Sequence, residues 1–383
     1  MPLKIDFNSS QGSSLGVEVE LEIIDRDTRE LRSAASEILP LMGEGHPNGD
    51  HPKAKHELLE STIEIITGVC SSVGEARRDL EGTLAELQEH TGPRGLAFMC
   101  SGSHPFSDWA TQEITPDPRY ARLVEEMQWM ARRLQIFGIH VHVGIRSAEK
   151  AIAIANALSA YIPHFLALSA SSPYWMGRDT GLASARSKVF EGLPTAGLPY
   201  QLSGWDEFEQ FMQTLVSANA IQSIREVWWD IRPHPDFGTV ELRICDGIPT
   251  MSEIAAMAAL SQCLVEWMDS LVDRGYSLPM PRSWVVRENK WRAARHGVEA
   301  EVIIGDSGDN VVPLRTAVHD LVEELSPVAE RLDCIKELRH CMTILDHGPS
   351  YLRQRAVVAD GGSLSDVVDS LVREMETDEP SSP

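Results

Sequence analysis

The sequence has no basic run and no basic helical stripe: 34 Lys and Arg stand against 57 Asp and Glu in 383 residues, a formal charge of −23. Affinity for a phosphate backbone or an anionic membrane surface comes from clustered Lys and Arg, so neither partner is expected. There is no GxxxxGK[ST] loop and no GxGxxG turn, which leaves any use of nucleotide without a P-loop or a Rossmann site. No CxxC pair occurs, and Cys70, Cys100, Cys245, Cys263, Cys334 and Cys341 are scattered singly. That usage, with an N-terminal stretch lacking the apolar run of a signal peptide, predicts free thiols in the reducing cytoplasm. Internal repeats and long Gly/Ser or Pro linkers are also missing, so one catalytic domain over residues 1–375 is expected. Residues 376–383 (ETDEPSSP) are polar and proline-bearing and are expected to be disordered.

Charge is absent between Ala151 and Gly177, yet that stretch carries Asn156, Pro163 and His164 and reads as a buried core helix rather than a membrane span. Helical periodicity predicts helices from Val73 to His90, Pro118 to Phe137, Lys150 to Leu168, Ser252 to Arg274, and Leu314 to His347 with a break at Pro327.

Short period-two segments lie between these helices. Val17, Val19, Leu21 and Ile23 alternate with Glu18, Glu20 and Glu22, so a strand puts three carboxylates on one face. Ile139, Val141 and Val143 alternate with His140 and His142, and Val240, Leu242 and Ile244 alternate with Thr239, Glu241 and Arg243. A segment from Glu57 to Thr67 adds Glu57, Glu60 and Glu64. Solvated strand faces favour Thr, Lys, Arg and Ser, whereas these carry Glu, a His-x-His pair and one Arg. Two carboxylates ~4 Å apart repel by ~4 kcal/mol at an effective dielectric near 20, so their convergence calls for cations or protonation. Carboxylate oxygen is the hard donor that Mg²⁺ or Mn²⁺ prefers, and an added imidazole is compatible with both. No Cys pair or HExxH helix points to zinc.

The motifs GVEVELEIID, HELLESTIEIITGVC, GIHVHVGI, WDIRPHPDFGTVELRICD and RENKWRAARHG stand in this order, supported by TGLASARSKVFEGLPTAGLP and YLRQRA. As an ordered set over roughly residues 15–355 they resemble the type-2 glutamate-cysteine ligase family, ATP-dependent carboxylate-amine ligases of the glutamine synthetase-like superfamily. The resemblance implies an α+β fold in which a curved antiparallel sheet forms a metal-binding funnel with helices on its outer face. It implies two or three Mg²⁺ or Mn²⁺ ions, with Glu20, Glu57 and Glu64 holding one and Glu18, His140 and Glu241 another. Glu60 would lie at the margin. His142 would face the γ-phosphate of ATP and Arg243 the acyl phosphate. Arg292 and Arg295 would contact nucleotide, and Arg186 and Arg232 a substrate carboxylate. The expected substrates are a glutamate-like acid and a cysteine-like amine, and the expected assembly is a homodimer. A guanidino or amine phosphotransferase on the same fold, or a non-catalytic nucleotide- or metal-binding homologue, are the alternatives. One departure stands out: the family usually reads GVEEEF, whereas this chain has Val19 in the middle and Glu22 where an apolar residue is usual.

Other features carry less. His46, His51 and His56 are irregularly spaced among Pro, Gly and Asn and read as a loop. Cys334 and Cys341 could approach one another on a helix. Trp228 and Trp229 could stack on adenine or belong to the core.

Overall fold

The computed structural model describes residues 4–305 and 308–381. In chain order its strands are β1 (Leu15–Asp25), β2 (Ala54–His56), β3 (Thr62–Ile66), β4 (Leu96–Met99), β5 (Ile139–Gly144), β6 (Tyr174–Trp175), β7 (Arg178–Asp179), β8 (Ile231–His234), β9 (Thr239–Leu242), β10 (Glu301–Ile303) and β11 (Val311–Pro313). Seven form one antiparallel sheet in the order β2-β3-β1-β5-β9-β8, with β4 paired to the end of β1. The other four make two short ribbons, β6 with β7 and β10 with β11.

Alternation in the sequence sets the two faces of the sheet. Val17, Val19, Leu21, Ile139, Val141, Val143, Val240 and Leu242 are at most 1% exposed and join one core with the helices Val73–Thr91 and Met251–Asp273. Both helices begin at a hydroxyl cap: Ser72 accepts from the Glu75 amide and Thr250 from the Glu253 amide, satisfying donors that an uncapped end would leave orphaned. The apolar segment Ala148–Ser169 has the length and composition of a membrane span, but 83% of its central window is buried in the protein. It is two core helices, Ala148–Leu158 and Ile162–Ser169, joined by a short 3₁₀ turn with Pro163 in the first turn of the second.

Two local expectations are corrected. Pro118–Phe137 is not one helix: it stops at Met127, because Gln128 adopts φ +50°, and resumes only over Trp129–Arg132. Pro327 does not break its helix, which runs from Leu314 to Arg331. The proline is on the exposed side, as is Glu323, whose carbonyl loses its helical donor. The break comes six residues later, at Asp333 with φ +53°. As expected for Cys334 and Cys341, all six cysteines are free and buried, with the Cys334 sulfur 3.6 Å from that of Cys263.

The last helix, Leu364–Thr377, extends into the segment expected to be disordered. The Ser381 amide donates to Glu374 at 3.0 Å. Glu374 belongs to a buried triad: Arg353, 1% exposed, donates to Glu253 at 2.9 Å and to Glu374 at 2.7 Å, tying three helices together. Replacing Arg353 by Met strands two buried carboxylates, and should lower stability by about 3–5 kcal/mol. Urea denaturation measures this. A change below about 1 kcal/mol would show that the triad is not a structural tie.

Candidate active site

The polar face of the sheet forms the floor of a cavity of about 380 Å³. Antiparallel register does the placing. Glu18 stands opposite His140, Glu20 opposite Glu64, His142 opposite Glu241, and Arg232 opposite Glu241 on the far side. Glu57 arrives from the turn before β3, and Arg243 from the residue that follows β9. Residues on different strands thus meet because each strand repeats with period two and the register aligns the polar sets.

Two groups of donor atoms lie within 4.8 Å of one another, Glu18–His140–Glu241 and Glu20–Glu64–His140. The first is the set implied by resemblance. The second shares two members with the implied set, with His140 in place of Glu57, whose carboxylate instead accepts from the Leu58 amide at 3.0 Å.

The carboxylates differ in how far they are neutralised. Burial opposes ionisation of Glu18, but hydrogen bonds from His140 and His142 outweigh it and hold its pKa far below the usual range. Burial likewise opposes ionisation of Glu241, and Arg232 and Arg243 outweigh it. For Glu20 the balance is reversed: burial and the neighbouring Glu57 outweigh Arg186, Arg243 and the Gly138 amide, and push it up to about 7. Burial raises Glu57, and burial with the charges of Glu18, Glu57 and Glu20 raises Glu64 well above its ordinary value. Burial, reinforced by Arg243, lowers His140 to about 4, so its imidazole is neutral and able to ligate. An unneutralised cluster of hard oxygen donors beside a neutral imidazole fits Mg²⁺ or Mn²⁺.

Supporting contacts fix the remaining groups. His142 Nδ1 bonds the Thr239 hydroxyl at 3.0 Å, leaving Nε2 3.5 Å from Glu18 and 3.7 Å from Glu241. Arg243 Nη1 donates to Glu241, while its buried Nε has no partner. Arg186 lines the cavity and donates to the carbonyls of Ile244 and Arg243, each at 3.3 Å. Gly138 makes room for it, since a Cβ there would lie 2.2 Å from Arg186 Nη2. Arg232 also lines the cavity, but its donors are engaged by Glu241 and by the carbonyls of Ile224 and Val227.

Two expected participants lie elsewhere, and Glu60 is outside the cavity as a marginal residue would be. Arg292 pairs with Glu288 at 2.8 Å, and Arg295 donates to the Gly181 carbonyl, so neither lines this cavity. Glu60 accepts from the Ser36 amide and hydroxyl at the start of the helix Ala35–Met42. His46 and His51 pack ring to ring at 4.8 Å outside both donor groups. Sequence reasoning missed Lys55, Arg119 and Arg225, basic residues of the cavity wall that belong to no motif. Only the Asp-Pro start of the helix Pro118–Met127 hinted that Arg119 occupies a first turn. Trp228 lines the cavity, whereas Trp229 is buried in a separate core cluster.

The sequence profile described as Glutamate-cysteine ligase family 2 matches residues 14–370. A protein of Frankia alni provisionally named glutamate–cysteine ligase 2-1 is 59% identical over 380 residues, 99% of each chain. One of Thermobifida fusca, provisionally named glutamate–cysteine ligase 2, is 52% identical over 378 residues, covering 99% of this chain and 94% of that one. A solved glutamate–cysteine ligase of Francisella tularensis in complex with AMP superposes with a TM-score of 0.71 at 14% identity, over 97% of this chain and 90% of that one. The ligase PafA in complex with the ubiquitin-like protein Pup gives 0.51 at 13% identity, over 95% of this chain and 72% of that one. At these identities the likeness concerns the fold, and it agrees with the expected α+β arrangement.

The raised pKa of Glu20 makes a signed prediction for the metal-free protein. With the group protonated in both states below its unfolded value of 4.5, it costs nothing there. As pH rises to about 7 the unfolded chain ionises first, and folding is disfavoured by about 3 kcal/mol above that pH. Glu20→Gln should therefore melt higher than the parent in EDTA at pH 8, with the difference closing toward pH 4.5. Mn²⁺ should raise the melting temperature of the parent more than that of the variant. Equal melting of the two at pH 8 would rule out the crowded-carboxylate account.

Proposed function

The chain belongs to glutamate-cysteine ligase family 2, and from that premise we propose that it joins the γ-carboxylate of glutamate, or a closely similar acid, to an amine such as the α-amino group of cysteine. ATP is cleaved to ADP and phosphate as the amide forms. The observation that carries this reading is the convergence of Glu18, Glu20, Glu57, Glu64 and Glu241 on His140 in a single cavity that also holds Arg186 and Arg243. Glu20, Glu64 and Glu57, and Glu18, His140 and Glu241, would hold two or three Mg²⁺ or Mn²⁺ ions, which when bound neutralise the β- and γ-phosphates of ATP.

The protein's own groups do the rest by position and charge. The substrate carboxylate takes the γ-phosphoryl group, giving an acyl phosphate; the amine then attacks its carbonyl carbon and expels phosphate. Arg243, with a buried Nε free to donate, faces the transferring group. His142, its ring fixed by Thr239, offers Nε2 to the same region. Arg186, Arg119 and Arg225 supply positive charge on the wall where an amino acid carboxylate binds. Arg232 is a positioning residue, holding Glu241 in its ionised form.

The six free thiols suit a cytoplasmic protein. A homodimer is the simplest assembly, since closed two-fold symmetry is the common outcome for soluble enzymes. Light scattering at micromolar concentration would remove the dimer by showing a monomer.

The reaction is tested with glutamate labelled by ¹⁸O in its γ-carboxylate, cysteine and ATP. Labelled phosphate should appear in step with amide and ADP. A phosphorylated acceptor without free phosphate would indicate phosphotransfer, and AMP with pyrophosphate would indicate adenylation. No ATP cleavage with any acid and amine would favour a binding protein. His140→Ala should raise the Mn²⁺ concentration needed for half-maximal activity by about tenfold or more, whereas His142→Ala should mainly lower kcat. Metal titration followed by steady-state kinetics distinguishes the two, and identical behaviour of both variants would overturn the division of roles.

A further inference from the structure

A second cavity, of about 440 Å³, lies behind the wall of the catalytic one. The two are back to back across residues 186–197. Arg186, Phe190 and Leu193 line the catalytic cavity, while Lys188, Glu191 and Pro194 line the second. The tryptophan pair divides in the same way, Trp228 to the first and Trp229 to the second. Its size lies within the range of small-molecule sites.

The lining combines flat aromatic surface with positive charge. Tyr200 packs edge-on against Trp229 with ring centroids 5.7 Å apart. Tyr200 and Trp291 are nonetheless 63% and 43% exposed, so two large rings stand where water reaches the cavity. Such rings present flat faces to a planar ligand. Lys290, 2% exposed, is held by Asp230 at 2.6 Å and Glu191 at 2.7 Å, and Lys188 pairs with Glu191 at 2.9 Å. These two lysines and two carboxylates balance. Arg287 completes the lining and has no hydrogen-bond or ion-pair partner among the described residues. The site is therefore one positive charge in excess, in a chain whose formal charge is −23.

We propose that this cavity binds a small planar monoanion, an aromatic or heteroaromatic acid, and that its occupancy is felt in the catalytic cavity. A neutral ring leaves the guanidinium uncompensated, and a cation is repelled by Lys188 and Arg287. A short connection leads inward: Lys290 holds the Asp230 carboxylate, and the Asp230 carbonyl accepts from the Arg243 amide at 2.8 Å. A ligand that shifts Lys290 or Glu191 thus acts on the strand end that carries Arg243. Coupling between sites must be reciprocal.

The binding arm does not depend on the ligase reading. The probe is 8-anilinonaphthalene-1-sulfonate, an aromatic monoanion with a flat naphthalene ring, titrated against the full chain by its fluorescence, with N-phenyl-1-naphthylamine as the neutral counterpart. One saturable site per chain is expected. Arg287→Gln should weaken it about tenfold, Trp291→Ala about fivefold, and the neutral compound should bind about tenfold more weakly. Both side chains are substantially exposed, so the variants should keep the parent melting temperature. Absence of saturable binding, equal binding of the neutral compound, or parent-like affinity in both variants would overturn the site. For coupling, the probe should shift the KM of the acid substrate in the parent, and about tenfold more probe should be needed for the same shift in Arg287→Gln. Saturation without any change in KM or kcat would overturn the coupling while leaving the site.

Discussion

Everything in the catalytic cavity follows from carboxylates crowded into a buried basin with too few cations of the protein's own. Glu20, Glu57 and Glu64 are driven together by the register of β1 and β3 and by the turn that delivers Glu57. No Lys or Arg forms an ion pair with any of the three among the described residues. Their ionisation is suppressed by burial and by each other. Such a basin is costly to keep in a fold unless something supplied from outside neutralises it, and hard divalent cations do so most directly.

The same cavity shows what neutralisation looks like when the chain provides it. Glu241 is held between Arg232 and Arg243, and Glu18 between His140 and His142. Both stay ionised in the metal-free protein. The site is therefore divided into a compensated half, which fixes geometry, and an uncompensated half, which attracts charge. His140 belongs to both donor groups and joins the halves. Its neutrality matters, because a protonated imidazole there would repel the cation that the carboxylates call for.

Period-two alternation was legible in the sequence, and with it the faces of β1, β5 and β9, because a strand's side chains leave no choice of face once its apolar set is buried. The order of motifs carried the family and the set of acidic residues. What remained hidden depends on rotation and on local partners rather than on period. Arg292 and Arg295 share the stretch that carries buried Lys290, but their side chains leave toward Glu288 and Gly181 instead of the cavity. Arg232 looks free in sequence, yet backbone carbonyls five and eight residues upstream take its donors. Glu60 falls three residues from Glu57 and four from Glu64, but the chain turns before Thr62 and sends it to Ser36. Arg119 and Arg225 reach the wall from a helix and a 3₁₀ turn whose docking no local pattern specifies.

Val19 and Glu22, the two positions that stood out in the sequence, find their reasons in the same strand. Val19 sits on the apolar face, fully buried, where a carboxylate would face the core helices instead of the cavity. Glu22 sits on the acidic face but beyond the cavity, accepting from the Ser101 amide at 3.1 Å and hydroxyl at 2.8 Å. Burial pushes its pKa well up despite those bonds. Along β1 the three acids thus differ in their partners: Glu18 is held ionised by its histidines, Glu20 is pushed up to about 7 by burial and Glu57, and burial raises Glu22 well above its ordinary value although Ser101 supplies its donors. Because histidines serve Glu18 and Ser101 serves Glu22, Glu20 is the acid of β1 that joins Glu57 and Glu64 in the uncompensated half. It is the strand's pattern of partners, rather than its count of carboxylates, that decides which of its acids are left for a cation to neutralise.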